Sequence, residues 1–410
     1  MILYNILIHI TRLLIKFLSL FNSKLKLGVK GRSQTFQTLQ NKLSKTDKTI
    51  WFHCASLGEF EQGLPVFKEL KKLYPTHKIV LTFFSPSGYE VRKNTDVADV
   101  VVYIPWDTKA NSRRFLDILN PELIVFVKYE VWPNILLEAQ KRNIKAVLIS
   151  ALFRKDQIYY KPYGKLMKKA LFSFNHIFTQ NEISKKLLET LGYTSATVSG
   201  DTRFDRVFSQ LSLNNHLDFI EAFKQDKQCV VVGSSWPEDE AYFINYINSK
   251  PIKGTKFIFA PHNINKNQIE KLKNSLKSSV VLFSEKEDHD LADNDIFIID
   301  TVGLLSKIYS YANIAYVGGA AGTTGLHNTL EPAVFGVPII IGHNYTKFPE
   351  AYDMIKNGGM ISVTNQEEFN KNLSFLINNP KESQKLGSKN FDYIKKNKGA
   401  VIQIINFLRK

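Results

Sequence analysis

From residue 50 to residue 342 the chain repeats one rhythm, a short run of β-branched and aromatic residues followed by an amphipathic stretch of about 10–15 residues. The first six runs are "TIWFHCA", "KIVLTFF", "VVYIP", "LIVFVKYE", "AVLISA" and "HIFTQN"; between them, segments such as "LPVFKELKKLYP" and "WPNILLEAQKRN" carry helical spacing. Runs that are apolar throughout are strands buried on both faces, and their alternation with helices implies a parallel sheet covered on both sides. The rhythm pauses at the polar "SLNNHLD" (212–218) and restarts with "CVVVGSS", "KFIFAPH", "SVVLFS", "IFIID", "IAYVGGA" and "VPIIIG". A chain of 410 residues is also too long for one ordinary core, so two domains of roughly 200 residues each are expected. The boundaries read as a helical and basic segment at 1–30, a first α/β domain at 31–211 and a second at 212–410, with "FDYIKKNKGAVIQIINFLRK" as a closing helix. Doubly wound sheets bind ligands outside the carboxyl ends of their strands, so a cleft there is the expected site.

Charge narrows the class of partner. The formal net charge is +16, and residues 1–48 carry nine basic residues against the single acid Asp47, half of that total. The same segment opens with "MILYNILIHITRLLIKFLSLF", in which Asn5, His9, Arg12, Lys16 and Ser19 fall on one helical stripe and Ile, Leu and Phe cover the rest. An apolar helix with a basic stripe and a lysine-rich sequel suits an anionic lipid surface better than a nucleic acid. No small-residue cleavage site follows it, which disfavours a signal peptide. In-plane association, a single span and a packing helix remain open; a span would bring Arg12 and Lys16 toward its middle at roughly 2.5–3.5 kcal/mol each. On either membrane reading, the basic residues favour the cytoplasmic side. Cys54 and Cys229, far apart in strand-like runs, read as buried reduced thiols.

Four stretches carry candidate chemistry. "HCASLGEFEQG" (53–63) places Glu59 and Glu61 where a strand gives way to a helix; helix N–H groups would keep Glu59 ionised, whereas partial burial would raise its pKa toward that of a general base. Glu61 cannot share its face and reads as a surface residue. "FVKYEVWPN" (126–134) ends a strand at Glu130, a ligand-facing carboxylate or a capping acid for the helix opened by Trp132-Pro133. "SGDTRFDR" (199–206) offers Arg203, either an anion-binding cation or the partner of Asp201 or Asp205. "YVGGAAGTTGLHNTLEPAVFG" (316–336) leaves a strand through glycines and enters a helix near His327-Asn328, with Glu331 placed to accept from a ribose diol or serving as an ordinary first-turn acid. The G-x-G-x-x-G spacing, the P-loop, the G-x-S-x-G elbow and metal-ligand spacings are all missing, so no metal or cofactor is implied.

In this order the motifs resemble those of the bacterial Kdo transferases, which move 3-deoxy-D-manno-octulosonic acid (Kdo) from CMP-Kdo to lipid A precursors on the cytoplasmic side of the inner membrane. The matching stretches are "ASLGE" (55–59), "FFSPSGYE" (83–90), "YIPWD" (103–107), "YEVWPN" (129–134), "GDTRFD" (200–205), "GSSWPEDE" (233–240), "DTVGLL" (300–305) and "GLHNTLEPA" (325–333), spread over nearly the whole chain. The resemblance implies a GT-B fold, two Rossmann-like domains with acceptor held mainly by the first and nucleotide by the second. It implies an inverting glycosyltransferase of lipopolysaccharide biosynthesis that needs no cofactor, with CMP-Kdo, a lipid A precursor and an anionic membrane as partners. By the same resemblance Glu59 would be the general base, Glu130 and Arg203 would stabilise the transition state, and CMP would be held by Pro261, His262, Val302, Gly303, Leu304, Asn328, Thr329, Leu330 and Glu331. The chain departs from the family pattern at His262, often Arg, at Leu304, often an acid, and at Arg203, often Lys; the first two would cost contacts to CMP. A different GT-B sugar-nucleotide enzyme, or a membrane-bound nucleotide scaffold, are the alternatives, and a scaffold leaves Glu59 without a role.

Overall fold

The computed structural model of the protein describes residues 1–249, 251 and 254–409. Its contacts divide the chain into two units, residues 1–206 with 398–410, and residues 207–397. Each is built on a seven-stranded, all-parallel sheet. In the first unit the strands are β1 (Thr49–Cys54), β2 (Lys78–Phe83), β3 (Val100–Tyr103), β4 (Pro121–Val127), β5 (Lys145–Ala151), β6 (His176–Thr179) and β7 (Ala196–Val198), in the order β3-β2-β1-β4-β5-β6-β7. The second has β8 (Gln228–Ser235), β9 (Thr255–Pro261), β10 (Val280–Leu282), β11 (Ile296–Ile298), β12 (Ile314–Val317), β13 (Ile339–Ile341) and β14 (Met360–Ser362), in the order β10-β11-β9-β8-β12-β13-β14.

All twelve apolar runs are strands. The two that the sequence rhythm does not reveal, β7 and β14, are three-residue edge strands, too short to show a period and paired on one side only. β1 is buried at every position, as a strand covered on both faces must be. Its side chains feed two cores: Trp51 packs with Phe115, Phe126 and Ile135 on one face, while Ile50, Phe52 and Cys54 pack with Phe60, Phe67 and Leu70 on the other. Both cysteines are buried and unpaired.

Strand order reverses direction between β1 and β4 in the first sheet and between β8 and β12 in the second. Connections leave toward opposite faces at such a point, which opens a crevice at the carboxyl ends of the two strands. Backbone strain gathers at these ends. Lys128 after β4 (φ 66°), Ser150 in β5 (φ 53°) and Ser234 in β8 (φ 53°) all take left-handed conformations, each costing about 1–3 kcal/mol for a residue with a side chain.

The closing segment is not one helix of the second domain. Gly399, at φ 118°, separates the helix Pro380–Asn397 from a second, Ala400–Leu408, and residues 398–410 pack with the first unit. There Ile404, Ile405 and Leu408 join the Phe52–Phe67 core, and the Asp205 carboxylate accepts from the Gly399 and Ala400 N–H groups at 3.0 Å each. The contact boundary lies at 206/207, where the polar stretch suggests 211/212.

The N-terminal helix Ile2–Leu18 turns only the two ends of its polar stripe inward. The Tyr4 hydroxyl donates to Asp107 Oδ2 (2.8 Å), Asn5 Oδ1 accepts from Asn134 Nδ2 (3.0 Å) and Ser19 is buried, while His9, Arg12 and Lys16 are exposed together with Leu3, Leu7, Ile10, Leu13, Leu14 and Phe17. Among the described residues no helix is long and apolar enough to cross a membrane.

Candidate active site

The β1–β4 reversal brings Glu59 and Glu130 to one place. Glu59 stands in the first turn of the helix Leu57–Leu73, which starts three residues beyond β1, and Glu130 lies three residues beyond β4. The Glu59 carboxylate turns back to accept from the Ala55 N–H (2.5 Å), so the helix entrance and the end of β1 are tied together. Only 9% exposed, Glu59 has its pKa raised to about 7: burial is the largest cause and the Glu130 charge adds to it, opposed by the Ala55 N–H, by Lys128 and by the Ser56 N–H. Burial therefore prevails over the helix terminus. Poised near neutrality, Glu59 can take a proton at physiological pH.

Glu130 is held between two rings. Trp132 Nε1–H donates to Glu130 Oε2 at 2.8 Å and is 3.0 Å from His53 Nε2, which itself lies 3.0 Å from the same oxygen. It is not a helix cap in this structure: the N–H groups of Asn134 and Ile135 at the start of Pro133–Lys141 go instead to buried Asp107, at 2.9 Å each. His53 and Lys128 are the functional candidates that sequence reasoning misses, since a histidine inside an apolar strand reads as core and a lysine at a strand end reads as solvated.

Arg203, in the first turn of the helix Thr202–Ser209, donates from Nε to Asp201 Oδ2 at 2.8 Å. Its helix is fastened to that of Glu59, because the Thr202 hydroxyl donates to the Gln62 carbonyl (2.6 Å). Glu61 is not a surface residue. With its side chain 14% exposed, it accepts from Arg92 (Nη2, 2.5 Å) and pairs with Arg206 (2.8 Å), closing the same helix against two neighbours.

The second unit gathers the predicted nucleotide residues at the carboxyl ends of its strands. Pro261 ends β9; His262 follows it, its N–H bonded to the Ser235 carbonyl at 2.9 Å. Val302, 80% exposed, Gly303 (φ 92°) and Leu304 form the turn between β11 and the helix Leu305–Ile308. After β12 the glycine loop is shaped by close approach: a Cβ on Gly318 would lie 2.4 Å from the Ser234 carbonyl oxygen, and one on Gly319, at φ 94°, 2.1 Å from that of Gly325. Buried Asp239 holds this loop, accepting from Gly319 N–H (2.8 Å), Trp236 N–H (2.9 Å) and the Tyr316 hydroxyl (2.8 Å).

The helix after the loop begins later and is shorter than the sequence suggests. It spans only Leu330–Ala333, with Thr329 before it, so Glu331 is its second residue and backbone groups of the loop do more of the lining. Asn328 Nδ2 (3.0 Å) and the Ser306 hydroxyl (2.9 Å) each donate to one oxygen of Glu331, fixing the carboxylate while leaving lone pairs on both. Beside it, His262 stacks on Trp236 (centroids 4.7 Å apart) and lies 4.4 Å from the His327 ring; Trp236 Nε1–H donates to His327 Nε2 at 3.1 Å. Burial, with the nearby His262 adding, pushes the His327 pKa down to about 4, so this imidazole is neutral. No cluster of three or more metal-ligating side chains occurs among the described residues.

Comparison with known proteins agrees with this organisation. A sequence model of the 3-deoxy-D-manno-octulosonic-acid transferase (kdotransferase) family matches residues 29–206. Over those residues the chain matches the Kdo transferase family. It is 25% identical over 370 residues to the 3-deoxy-D-manno-octulosonic acid transferase of Haemophilus influenzae, covering 88% of this chain and 86% of that one. The Aquifex aeolicus protein of the same name is 28% identical over 341 residues, with 81% and 87% covered. Among solved structures, UDP-GlcNAc 2-epimerase from Neisseria meningitidis bound to UDP-GlcNAc superposes with a TM-score of 0.62 at 16% identity, covering 88% of this chain and all of that one. This likeness is one of fold: GT-B, two Rossmann-like domains.

Proposed function

We propose that this protein is a Kdo transferase, moving Kdo from CMP-Kdo to a hydroxyl of a lipid A precursor with inversion at the anomeric carbon. The observation that carries the mechanism is a buried carboxylate, Glu59, with a pKa near neutrality, beside a second carboxylate at the switch point of the first sheet. Glu59 takes the proton of a sugar hydroxyl as that oxygen attacks the anomeric carbon; the bond to the CMP phosphate breaks and its electron pair leaves with the phosphate. A phosphate monoester is a weakly basic leaving group, so fixed cations suffice to balance its charge, and Arg203 and Lys128 are the candidates in the first unit. Glu130 is the counter-charge to the electron-poor anomeric carbon. The turn 302–304, Pro261, His262 and residues 328–331 hold CMP, with Glu331 accepting from the ribose diol.

Access to a lipid is supported by the helix Ile2–Leu18, whose exposed side combines large apolar residues with Arg12 and Lys16 and whose sequel is rich in lysine. A helix of this kind lies in the headgroup region of an anionic leaflet, here on the cytoplasmic side, where the sugar nucleotide is made available. The test is direct: the protein is incubated with CMP-Kdo, generated in place, and a tetra-acylated lipid A precursor, and the lipid is weighed by mass spectrometry. A mass gain of one or more Kdo residues that disappears with Glu59→Gln is the expected result, and an unchanged lipid sinks the proposal.

A further inference from the structure

His53 lies wholly inside the first sheet, yet both of its ring nitrogens are engaged. Nδ1 is 2.8 Å from the Thr82 hydroxyl, itself the acceptor of the Trp51 indole N–H at 2.8 Å. Nε2 is 3.0 Å from Glu130 Oε2. Phe126 wedges edge-on against the ring (centroids 5.0 Å apart), as does Trp132 at 6.0 Å, so the imidazole cannot swing away. A buried histidine that only fills a core needs no carboxylate.

Trp132 completes the contact: its Nε1–H lies 3.0 Å from His53 Nε2 and 2.8 Å from Glu130 Oε2, so one indole hydrogen is shared between the ring and the carboxylate. The Thr82 hydroxyl sets the tautomer. Donating to the Phe52 carbonyl (3.3 Å), it accepts from Nδ1–H and leaves Nε2 to accept from Trp132; donating to Nδ1, it puts the ring hydrogen on Nε2, toward Oε2. In both arrangements Oε2 is fixed against the two rings, while Oε1 has no hydrogen-bond partner among the described residues.

We propose that His53 is a positioning residue for the transfer reaction: anchored by Thr82 and Trp51, it fixes the Glu130 carboxylate through Oε2 together with the Trp132 indole, and leaves Oε1 as the oxygen that meets the reacting groups. This rests on the reading of Glu130 given above. The consequence reaches Glu59, since the Glu130 charge is one of the causes that raise the Glu59 pKa. The other titratable groups whose charge acts on this pair or feels it are Lys128, Cys54 and Tyr159. His53 thus tunes the base without touching substrate, as outer partners of a site commonly do.

The test compares His53→Phe, which keeps the ring volume and removes the ring nitrogens, with His53→Gln, whose amide N–H reaches toward the same oxygen. For His53→Phe we expect kcat to fall about ten- to a hundredfold, KM for CMP-Kdo to stay within about twofold, and the acid limb of the pH–rate profile to move to lower pH as the Glu130 carboxylate swings away from Glu59. His53→Gln restores most of kcat. A second measurement needs no turnover: in protein labelled with ¹⁵N-histidine, the His53 signal, identified by its loss in His53→Phe, should shift in Glu130→Gln. The proposal is overturned if His53→Phe keeps full kcat and an unmoved pH profile while Glu130→Gln is inactive, or if the His53 signal does not move in Glu130→Gln. Should Glu130→Gln and Glu59→Gln both stay active, the assignment of the site itself is wrong, and the nuclear resonance result then decides the His53–Glu130 pairing alone.

Discussion

The two sheets share one topology, yet their switch points are furnished differently. At β1–β4 the chain presents ionisable side chains, Glu59, Glu130 and Lys128, backed by His53; at β8–β12 it presents glycines, backbone N–H groups and a neutral histidine, with a single tethered carboxylate, Glu331. The first is suited to moving a proton and the second to gripping a phosphorylated ligand. A shared fold does not assign these roles; the residues at the strand ends do.

The contrast can be broken at several points. The largest effect is expected at Glu59. Glu59→Gln should lower kcat by about 10²–10⁴-fold while CMP affinity stays unchanged, measured by single-turnover transfer and calorimetry. A carboxyl with a folded-state pKa of about 7, above its ordinary 4.5, binds more protons folded than unfolded, so it costs stability as pH rises from 4.5 toward 7. Glu59→Gln removes that cost, and a melting temperature above that of the unaltered protein at pH 8 would expose the base as a site that trades stability for function. In the unaltered enzyme, kcat should climb as pH rises through about 7 and level off above it.

Next comes the exposed side of the N-terminal helix. Changing Leu13 and Phe17 together to Ser should weaken binding to vesicles containing phosphatidylglycerol by about tenfold or more in a flotation assay, because both side chains are exposed and apolar. Transfer to a soluble acceptor analogue should not change. Glu331→Ala is expected to weaken CMP binding about tenfold and leave saturated kcat within about threefold, the reverse of the Glu59 pattern. Equal loss in kcat from both substitutions would erase the division of labour between the switch points. Smallest is His262→Arg, which adds a fixed cation beside Trp236 and should tighten CMP a few-fold; a melting shift larger with UDP than with CMP would point to a different donor.

The strands were legible because each is a run of β-branched and aromatic residues long enough to stand out, and Glu59 and Glu130 were legible because they lie where such runs end. What escaped depended on distant partners. Glu61 reads as a surface acid until Arg92 and Arg206 are brought to it by folding. His53 reads as core until Glu130 arrives from a different strand end. The last helix is plainly apolar, but nothing local says that its core lies in the first unit and not the second.

The N-terminal helix also braces the first unit. Tyr4 supplies one of the four groups that satisfy Asp107, which has no solvent exposure, and Asn5 engages Asn134 one residue beyond the proline that follows Trp132. Trimming residues 1–21 to improve solubility would therefore leave a buried acid short of a partner at the base of the segment that carries Glu130. A preparation that keeps those residues and shields their outward face, in a nanodisc or a mild detergent, is the one in which turnover should be measured.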